Sequence, residues 1–178
     1  THLPDIIIFS PIFYNGKLVA FVGNLAHHVD VGGKVPGSLT PDATEIFHEG
    51  ICFPPVKVKK EGIIDSEIYG MFQSNIRTKY ESGGDLMAQI AANNVGEKRF
   101  GELCDEMGID VVLEAVTELE KYCDRRMAAE LEKLPAGIYE FEDSLEGDGI
   151  TTEEPLQIKV AVTTGGPKIK IDFTGTCP

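Results

Sequence analysis

The sequence predicts an α+β fold, with an N-terminal β-hairpin and loop-rich segment, central antiparallel helices and C-terminal antiparallel β-strands. Two β-prone apolar runs flank the dipeptide Asn15-Gly16. An apolar stripe at helical spacing extends over residues 109–134, and residues 156–163 and 169–173 alternate strictly between apolar and polar side chains. Because strands and helices occupy separate stretches of the chain, these patterns favour the α+β class over a parallel α/β sheet.

The chain of 178 residues is long enough for about one domain, and its 42% of hydrophobic residues suffices to bury a core. We divide it into a hairpin and metal-site or loop segment at 1–64, a helical segment at 65–134 and a β segment at 135–178. No sequence repeat of about 20–50 residues is present, which excludes a solenoid or a propeller.

The first segment begins with the hairpin. Asn-Gly accepts positive φ at both centres of a tight turn, so the flanking strands are expected to pair through a type I′ turn. Both strands are almost continuously apolar, which predicts that both faces of the hairpin are covered. A loop-rich stretch from Asp30 to Pro55 follows, and residues 56–64 are expected to add a short lysine-rich edge hairpin that turns at Glu61-Gly62.

The helical segment is expected to start near Asp65-Ser66-Glu67. Its most regular helix is predicted over Ile109–Leu134, after a helix at Asp85–Met107 that ends at Gly108, and the two are expected to form an antiparallel pair. The apolar stripe of the later helix consists of Ile109, Val112, Val116, Leu119, Cys123, Met127, Leu131 and Leu134.

The earlier helix carries an unusual stripe of short polar groups at Asp85, Gln89 and Asn93. Their i, i+4, i+8 spacing places them on one face, among alanines and with a single charge over residues 85–96. A solvated face normally carries Lys and Glu, so this stripe predicts a buried polar seam. A helix-packing network is favoured over a substrate contact.

The third segment returns to β character at Ile138–Phe141. A turn is expected at Gly147-Asp148-Gly149, which lacks the periodic acidic ligands of an EF-hand. The two strictly alternating strands that follow are expected to be joined at Gly165-Gly166, with one face of the hairpin in solvent.

Charge and cysteine content limit the possible functions. The 16 basic and 29 acidic residues give a net charge of −13, which argues against binding to nucleic acid or to an anionic membrane surface. No apolar run approaches the roughly 20 residues that span a bilayer. The four cysteines contain no C-x-x-C pair, so reduced thiols and a cytoplasmic location are expected.

Candidate metal ligands lie at the two ends of the hairpin. His2 and Asp5 precede its first strand, and His27, His28 and Asp30 follow its second strand. The turn at Asn15-Gly16 brings these ends together, and two imidazoles with one carboxylate suit a divalent ion with open positions. His27 and His28 cannot both face one site from an extended strand. On spacing alone, a metal site and ordinary strand-end polar residues both remain open.

His48 lies between Glu45 and Glu49 and is either a surface residue, which is favoured, or a ligand or acid/base group. Phosphate-binding loops, dinucleotide fingerprints, nucleophile elbows and the zinc motif H-E-x-x-H are all absent from the sequence. If the reaction uses ATP, the nucleotide is therefore bound elsewhere.

Blocks of residues in matching order along the whole chain resemble the hydantoinase B/oxoprolinase family. A run of such blocks is far more specific than any one motif. The blocks are Thr1–Asp5, Gly23–Gly33, Pro36–Ser38 with Pro41–Phe47, Gly50–Lys57, Asn75–Arg77, Gly84–Asn93 and Asp172–Thr176.

The resemblance implies part of the B-type subunit of an ATP-dependent enzyme that opens hydantoin or 5-oxoproline rings. It implies a small-molecule substrate and a hetero-oligomer in which a hydantoinase A-type partner binds ATP and activates the substrate. It also implies a divalent metal, Mn or Zn, held by His2, Asp5 and His27. His28 and Asp30 would then be the catalytic acid/base groups or would support the ligands.

The same resemblance extends to the metal subunit of acetone and acetophenone carboxylases, and a non-catalytic scaffold module is a further alternative. The doubled histidine at 27–28 favours the hydrolase branch. The chain starts directly before a candidate ligand and lacks an initiator Met. We therefore expect it to be a fragment of a larger subunit that binds metal weakly and is inactive alone.

Overall fold

The computed structural model describes residues 2–149 and 154–177 and has the predicted α+β architecture. Thr1, the first residue of the matching blocks, lies outside the described residues. The elements, in chain order, are β1 (Asp5–Tyr14), β2 (Lys17–His27), β3 (Lys59–Lys60), β4 (Ile63–Ile64), α1 (Ser66–Asn75), α2 (Lys79–Met107), α3 (Ile109–Leu131), β5 (Gly137–Leu145), β6 (Leu156–Thr164) and β7 (Lys170–Asp172).

The predicted N-terminal hairpin is confirmed. β1 and β2 pair antiparallel, with a register irregularity at Ile12/Phe13. Asn15 and Gly16 have φ values of 50° and 75°, the positive angles that a type I′ turn requires. In this register Asp5 lies directly opposite His27, so the hairpin brings the two ends that carry candidate ligands together.

The two faces of the hairpin differ, contrary to the expectation that both are covered. Ile8 and Ile12 are buried on the inner face, whereas Ile7, Phe9 and Phe21 on the outer face are each more than 60% exposed. Phe9 and Phe21 contact each other edge to face across the strands. The apolar runs therefore do form the two predicted strands, but within the described residues only their inner face is packed.

The core beneath the inner face is formed with α1 and α2. Ile8 packs there with buried residues of the two helices and of the segment between them, namely Phe72, Ile76, Leu86 and Ile90. The short β3–β4 hairpin turns at Glu61 and Gly62, as predicted, and Ile64 packs against the same cluster. This core holds the hairpin against α2, which matters for the candidate site.

The long loop after β2 is held by close backbone contacts. The N–H of Ile51 donates to the carbonyl of Val31 at 2.8 Å, and Gly50 lies against Val31 with φ of 145°. A Cβ at Gly50 would lie 2.6 Å from the carbonyl oxygen of Val31, so only glycine fits this approach.

The helices begin and end close to the predicted signals. The Asp65 side chain accepts hydrogen bonds from the N–H groups of Glu67 and Ile68 and caps α1. α2 starts at Lys79, earlier than the predicted Asp85, and Gly108 separates it from α3 with φ of 86°. α3 ends at Leu131, before the predicted Leu134. The antiparallel pairing of the two helices stays a prediction.

The C-terminal strands form a three-stranded antiparallel sheet in the order β5-β6-β7. Gly165 has φ of 127° in the predicted connection between β6 and β7. The segment predicted to turn at 147–149 follows β5 and bends at Gly149, where φ is 84°, and residues 150–153 of this connection lie outside the described residues. After β7, the Thr176 hydroxyl bonds both the N–H and the carbonyl of Lys159, which ties the C-terminal segment to β6.

The chain divides into two compact units, Thr1–Glu106 and Met107–Pro178. The predicted segments 1–64, 65–134 and 135–178 were divided by the type of secondary structure. The two units are instead groups of residues that contact one another, and α2 and α3 fall in different units. All the candidate site residues lie in the first unit. Across the described ranges, no helix combines the length and apolarity that crossing a membrane requires.

Candidate metal centre

A short turn returns His2 to the end of the hairpin. The N–H of Asp5 donates to the carbonyl of His2 at 3.1 Å, which closes this turn. The carbonyl of the buried Pro4 accepts from the N–H groups of both Ile6 and His28, so the turn is also tied to the residue after β2. These bonds place His2 beside the cross-strand pair of Asp5 and His27.

The side chains of His2, Asp5 and His27, the ligand set that the family resemblance implies, converge. One potential ligand atom from each of the three lies within 4.8 Å of the others. The Nε2 atoms of His2 and His27 are 2.7 Å apart, and the Asp5 carboxylate lies 3.3 Å from Nδ1 of His2. We refer to these three residues as the ligand triad.

The donor chemistry of the ligand triad fits a divalent ion. Two imidazole nitrogens and a carboxylate are the ligands that Zn, Mn and related metals accept, and a three-donor face leaves positions open. When the Asp5 carboxylate accepts a hydrogen bond from Nδ1 of His2, the Nε2 lone pair faces His27 and is available to a cation. The triad is partly exposed, so solvent and ligands can reach it.

His28 and Asp30, predicted as catalytic, lie in the interior and are not brought into the ligand triad. His28 is fully buried, packs edge-on against Phe72, and its Nε2 lies 2.9 Å from Oε1 of Gln89. Neighbouring residues at a strand end project to opposite sides, which explains why His27 is exposed and His28 buried. These contacts favour a structural role for His28.

Asp30 organises the loop that follows β2. Its carboxylate accepts hydrogen bonds from the N–H groups of Gly32, Gly37 and Arg77 and from the Arg77 guanidinium at 2.9 Å. Burial opposes ionisation, but the backbone N–H groups and the guanidinium outweigh it and hold the pKa of Asp30 below its usual value. Arg77 also donates to the carbonyls of Gly32, Gly33 and Val35. Asp30 and Arg77 together therefore hold the loop in its folded conformation.

The predicted polar seam on α2 exists, with one correction. Gln89 and Asn93 are buried and bond to the hairpin, which agrees with a helix-packing network. Asp85 is exposed and takes no part in the seam, because the buried face of α2 turns toward Leu86 at that level. Asn24 in β2 also belongs to the network, since its amide donates to Oδ1 of Asn93 at 2.7 Å.

An open cleft of about 530 Å³ borders the ligand triad at His2. Glu45 is held in its wall by His48, whose Nδ1 accepts from the N–H of Thr44 and whose Nε2 lies 3.2 Å from the Glu45 carboxylate. His48 thus orients Glu45 and is not part of the triad. The lining residues are His2, Leu3, Ala43, Thr44, Glu45, Ile46 and Glu49.

A sequence profile of the hydantoinase B/oxoprolinase family matches residues 1–178. Caprolactamase subunit beta of Pseudomonas jessenii is 38% identical over 149 residues, which cover 84% of this chain and 26% of that protein. 5-Oxoprolinase 1 of Arabidopsis thaliana is 31% identical, and the match covers 100% of this chain and 16% of that protein. The chain thus spans less than a third of either relative.

Two solved structures share this fold. The crystal structure of ATP-dependent caprolactamase from Pseudomonas jessenii superposes with a TM-score of 0.87 at 35% identity, covering 96% of this chain and 29% of that one. The nucleotide-free structure of acetone carboxylase superposes with a TM-score of 0.84 at 20% identity, covering 98% of this chain and 25% of that one. At that identity the second likeness concerns the fold alone.

Proposed function

The chain belongs to the hydantoinase B/oxoprolinase family, and on that premise we propose that it is part of the metal-bearing B-type subunit of an ATP-dependent cyclic amide hydrolase. The observation that carries the proposal is the convergence of His2, Asp5 and His27 within 4.8 Å. A relative named as subunit beta supports an assembly with a second kind of subunit, for which we propose a hydantoinase A-type partner that binds ATP.

In this proposal the ligand triad holds a divalent ion, Mn or Zn. A divalent ion bound there would polarise a carbonyl or acyl oxygen and lower the pKa of a bound water. The register of β1 and β2 places Asp5 opposite His27, and the turn closed by the Asp5 N–H and the His2 carbonyl brings His2 beside them.

The cleft beside His2 is the proposed substrate site. Leu3, Ala43 and Ile46 offer apolar surface to ring methylene groups, and the carboxylates of Glu45 and Glu49 are hydrogen-bond acceptors for an amide N–H. Because His48 restrains Glu45, the carboxylate is held in the wall of the cleft before substrate binds. These residues therefore select and orient an uncharged ring next to the triad.

Metal titration tests the proposed site. Wild-type chain is expected to bind one Mn²⁺ per molecule, and His2→Ala and His27→Ala are each expected to weaken binding by about 100-fold or more, since each removes a donor. His48→Ala, a histidine outside the triad, is the matched control and should retain affinity. Unchanged binding in the His2→Ala, His27→Ala double variant would refute the site.

The reaction class is tested by measuring turnover in an enzyme assembled from the proposed B-type subunit that contains this chain and its ATP-binding partner. ATP-dependent opening of a lactam or hydantoin is expected. Bicarbonate-dependent consumption of a ketone, with no ring opening, would instead assign the chain to the carboxylase branch. Assembly and metal binding without either activity would indicate a scaffold role.

A further inference from the structure

One buried glutamine contacts both chain segments that carry the ligand triad. The Gln89 side-chain Nε2 donates to the carbonyl of Ile6 at 2.9 Å, and its Oε1 lies 2.9 Å from Nε2 of His28. Ile6 follows Asp5, and His28 follows His27. Each side-chain hydrogen bond of Gln89 therefore involves a residue next to a candidate ligand, while its backbone carbonyl accepts from Asn24.

The hydrogen-bond partners determine how this amide is oriented. The Ile6 carbonyl only accepts, so the NH₂ group of Gln89 must face it, and Oε1 then faces His28. His28 consequently donates from Nε2, while its buried Nδ1 has no hydrogen-bond partner in the part of the chain that is described. Gln89 is thus the one side chain that bonds the His28 ring there, and it is only 5% exposed.

We propose that Gln89 is a positioning residue for the ligand triad. It sets the direction of Asp5 and His27 by holding Ile6 and His28 on the inner side. Neighbouring strand residues project to opposite sides, so restraint of one on the inner face restrains the other on the outer face. The inference rests on the proposed metal site. Loss of a group bonded directly to a metal ligand typically costs about 10-fold to 100-fold in metal affinity, and we expect the lower end for Gln89, which holds the residues next to the ligands.

Asn93, one turn later on α2, provides a matched comparison. It is also buried, and its amide nitrogen donates to the carbonyl of Ile8 and to the hydroxyl of Ser10, while its Oδ1 accepts from Asn24. Ile8, Ser10 and Asn24 each lie at least three residues from every member of the ligand triad. Loss of Asn93 thus removes a comparable amount of helix-to-hairpin bonding without loosening the residues beside the ligands.

The test compares Gln89→Met with Asn93→Leu in the full chain, by two readouts. In the metal-free chain, NMR is used to detect the through-space contact between the His2 and His27 rings, whose centroids are 4.8 Å apart. We expect Gln89→Met to lose this contact and Asn93→Leu to retain it. In Mn²⁺ titrations, Gln89→Met should bind about 10-fold or more weakly, and Asn93→Leu within about threefold of wild type.

Several outcomes separate this inference from the proposed function. Retention of both the ring contact and the Mn²⁺ affinity in Gln89→Met would overturn it, as would equal losses in both variants. If the wild type binds no Mn²⁺ but Gln89→Met still loses the ring contact, the metal site fails and the positioning role stands. If Gln89→Met does not fold, Gln89→Glu replaces it, because it keeps an acceptor for His28 and puts a carboxylate oxygen in place of the NH₂ donor to Ile6.

Discussion

His27 and His28 are neighbours in the chain but belong to different environments. His27 is exposed, with its Nε2 2.7 Å from Nε2 of His2, whereas His28 is fully buried with its Nε2 2.9 Å from Gln89. The backbone alternation at the end of β2 separates them. One histidine is therefore available to a ligand, and the other anchors the strand end to α2.

This difference predicts opposite effects of two adjacent substitutions. His27→Ala should change the free energy of unfolding by no more than about 0.5 kcal/mol, because the side chain is exposed. His28→Ala should cost about 3 kcal/mol, since it leaves a cavity and an unpaired Oε1 on Gln89. Urea unfolding of the metal-free chain measures both, and equal losses would contradict the assignment of the two faces.

Asp30 is expected to stabilise the fold, and the size of this stabilisation should depend on pH. Its pKa is lowered in the folded state, so the stabilisation is complete above about pH 3.9, the pKa of an unfolded aspartate, and is lost as the pH falls through the lower folded pKa. Asp30→Asn should cost about 3 kcal/mol at pH 7, because the backbone N–H groups and the guanidinium that bond this buried carboxylate lose a charged acceptor.

Unfolding of wild type and Asp30→Asn across pH 2 to pH 7 tests this expectation. The difference between the two proteins should shrink below about pH 4, as the wild-type carboxylate becomes protonated. A difference that does not change with pH would show that the charge of Asp30 is not what holds the loop.

Gly96 is a position at which α2 packs directly against the hairpin. A Cβ at this position would lie 2.5 Å from Cγ2 of Val22, so Gly96→Ala should destabilise by about 1–3 kcal/mol. Gly101, five residues further along the same helix, has nothing within 4 Å of such a Cβ. Gly101→Ala should therefore stabilise by about 0.5–1 kcal/mol through helix propensity. Thermal unfolding of the two variants is the measurement.

The charge of the cleft predicts a preference among cyclic amides. Among the described residues that line it are the carboxylates of Glu45 and Glu49 and no lysine or arginine. An uncharged lactam or hydantoin should therefore be used in preference to a ring that carries its own carboxylate, such as 5-oxoproline. kcat/KM of the assembled enzyme for the two substrate types measures the preference.

Removing the charge of these two carboxylates tests whether they cause the preference. A Glu45→Gln, Glu49→Gln double variant should reduce the discrimination about tenfold, because it removes the repulsion of an anionic ring. The same substitution at the exposed Glu97 should leave the discrimination unchanged. Unaltered discrimination in the double variant would mean that other residues of the assembled enzyme determine it.

The local elements were predictable because short-range preferences determine them. Positive φ at Asn15 and Gly16 makes the hairpin turn, the Asp65 carboxylate caps α1, and Gly108 separates α2 from α3. Each signal acts over a few residues and needs no distant partner. For the same reason, the hairpin turn was enough to predict that the two strand ends carrying His2, Asp5 and the His27-His28 pair lie close together, and the family resemblance singled out His27.

The sequence by itself determined the α+β class, the family and the set of candidate ligands, because turns, periodicity and ordered motifs are written along the chain. Only the tertiary structure decided that His28 is buried against Gln89, that Gln89 reaches both strand ends, and that Asp85 lies outside the seam. It also decided that Asp30 binds Arg77, 47 residues away. These outcomes depend on how α2 and its preceding turn pack against the hairpin, and packing between distant segments leaves no local signal.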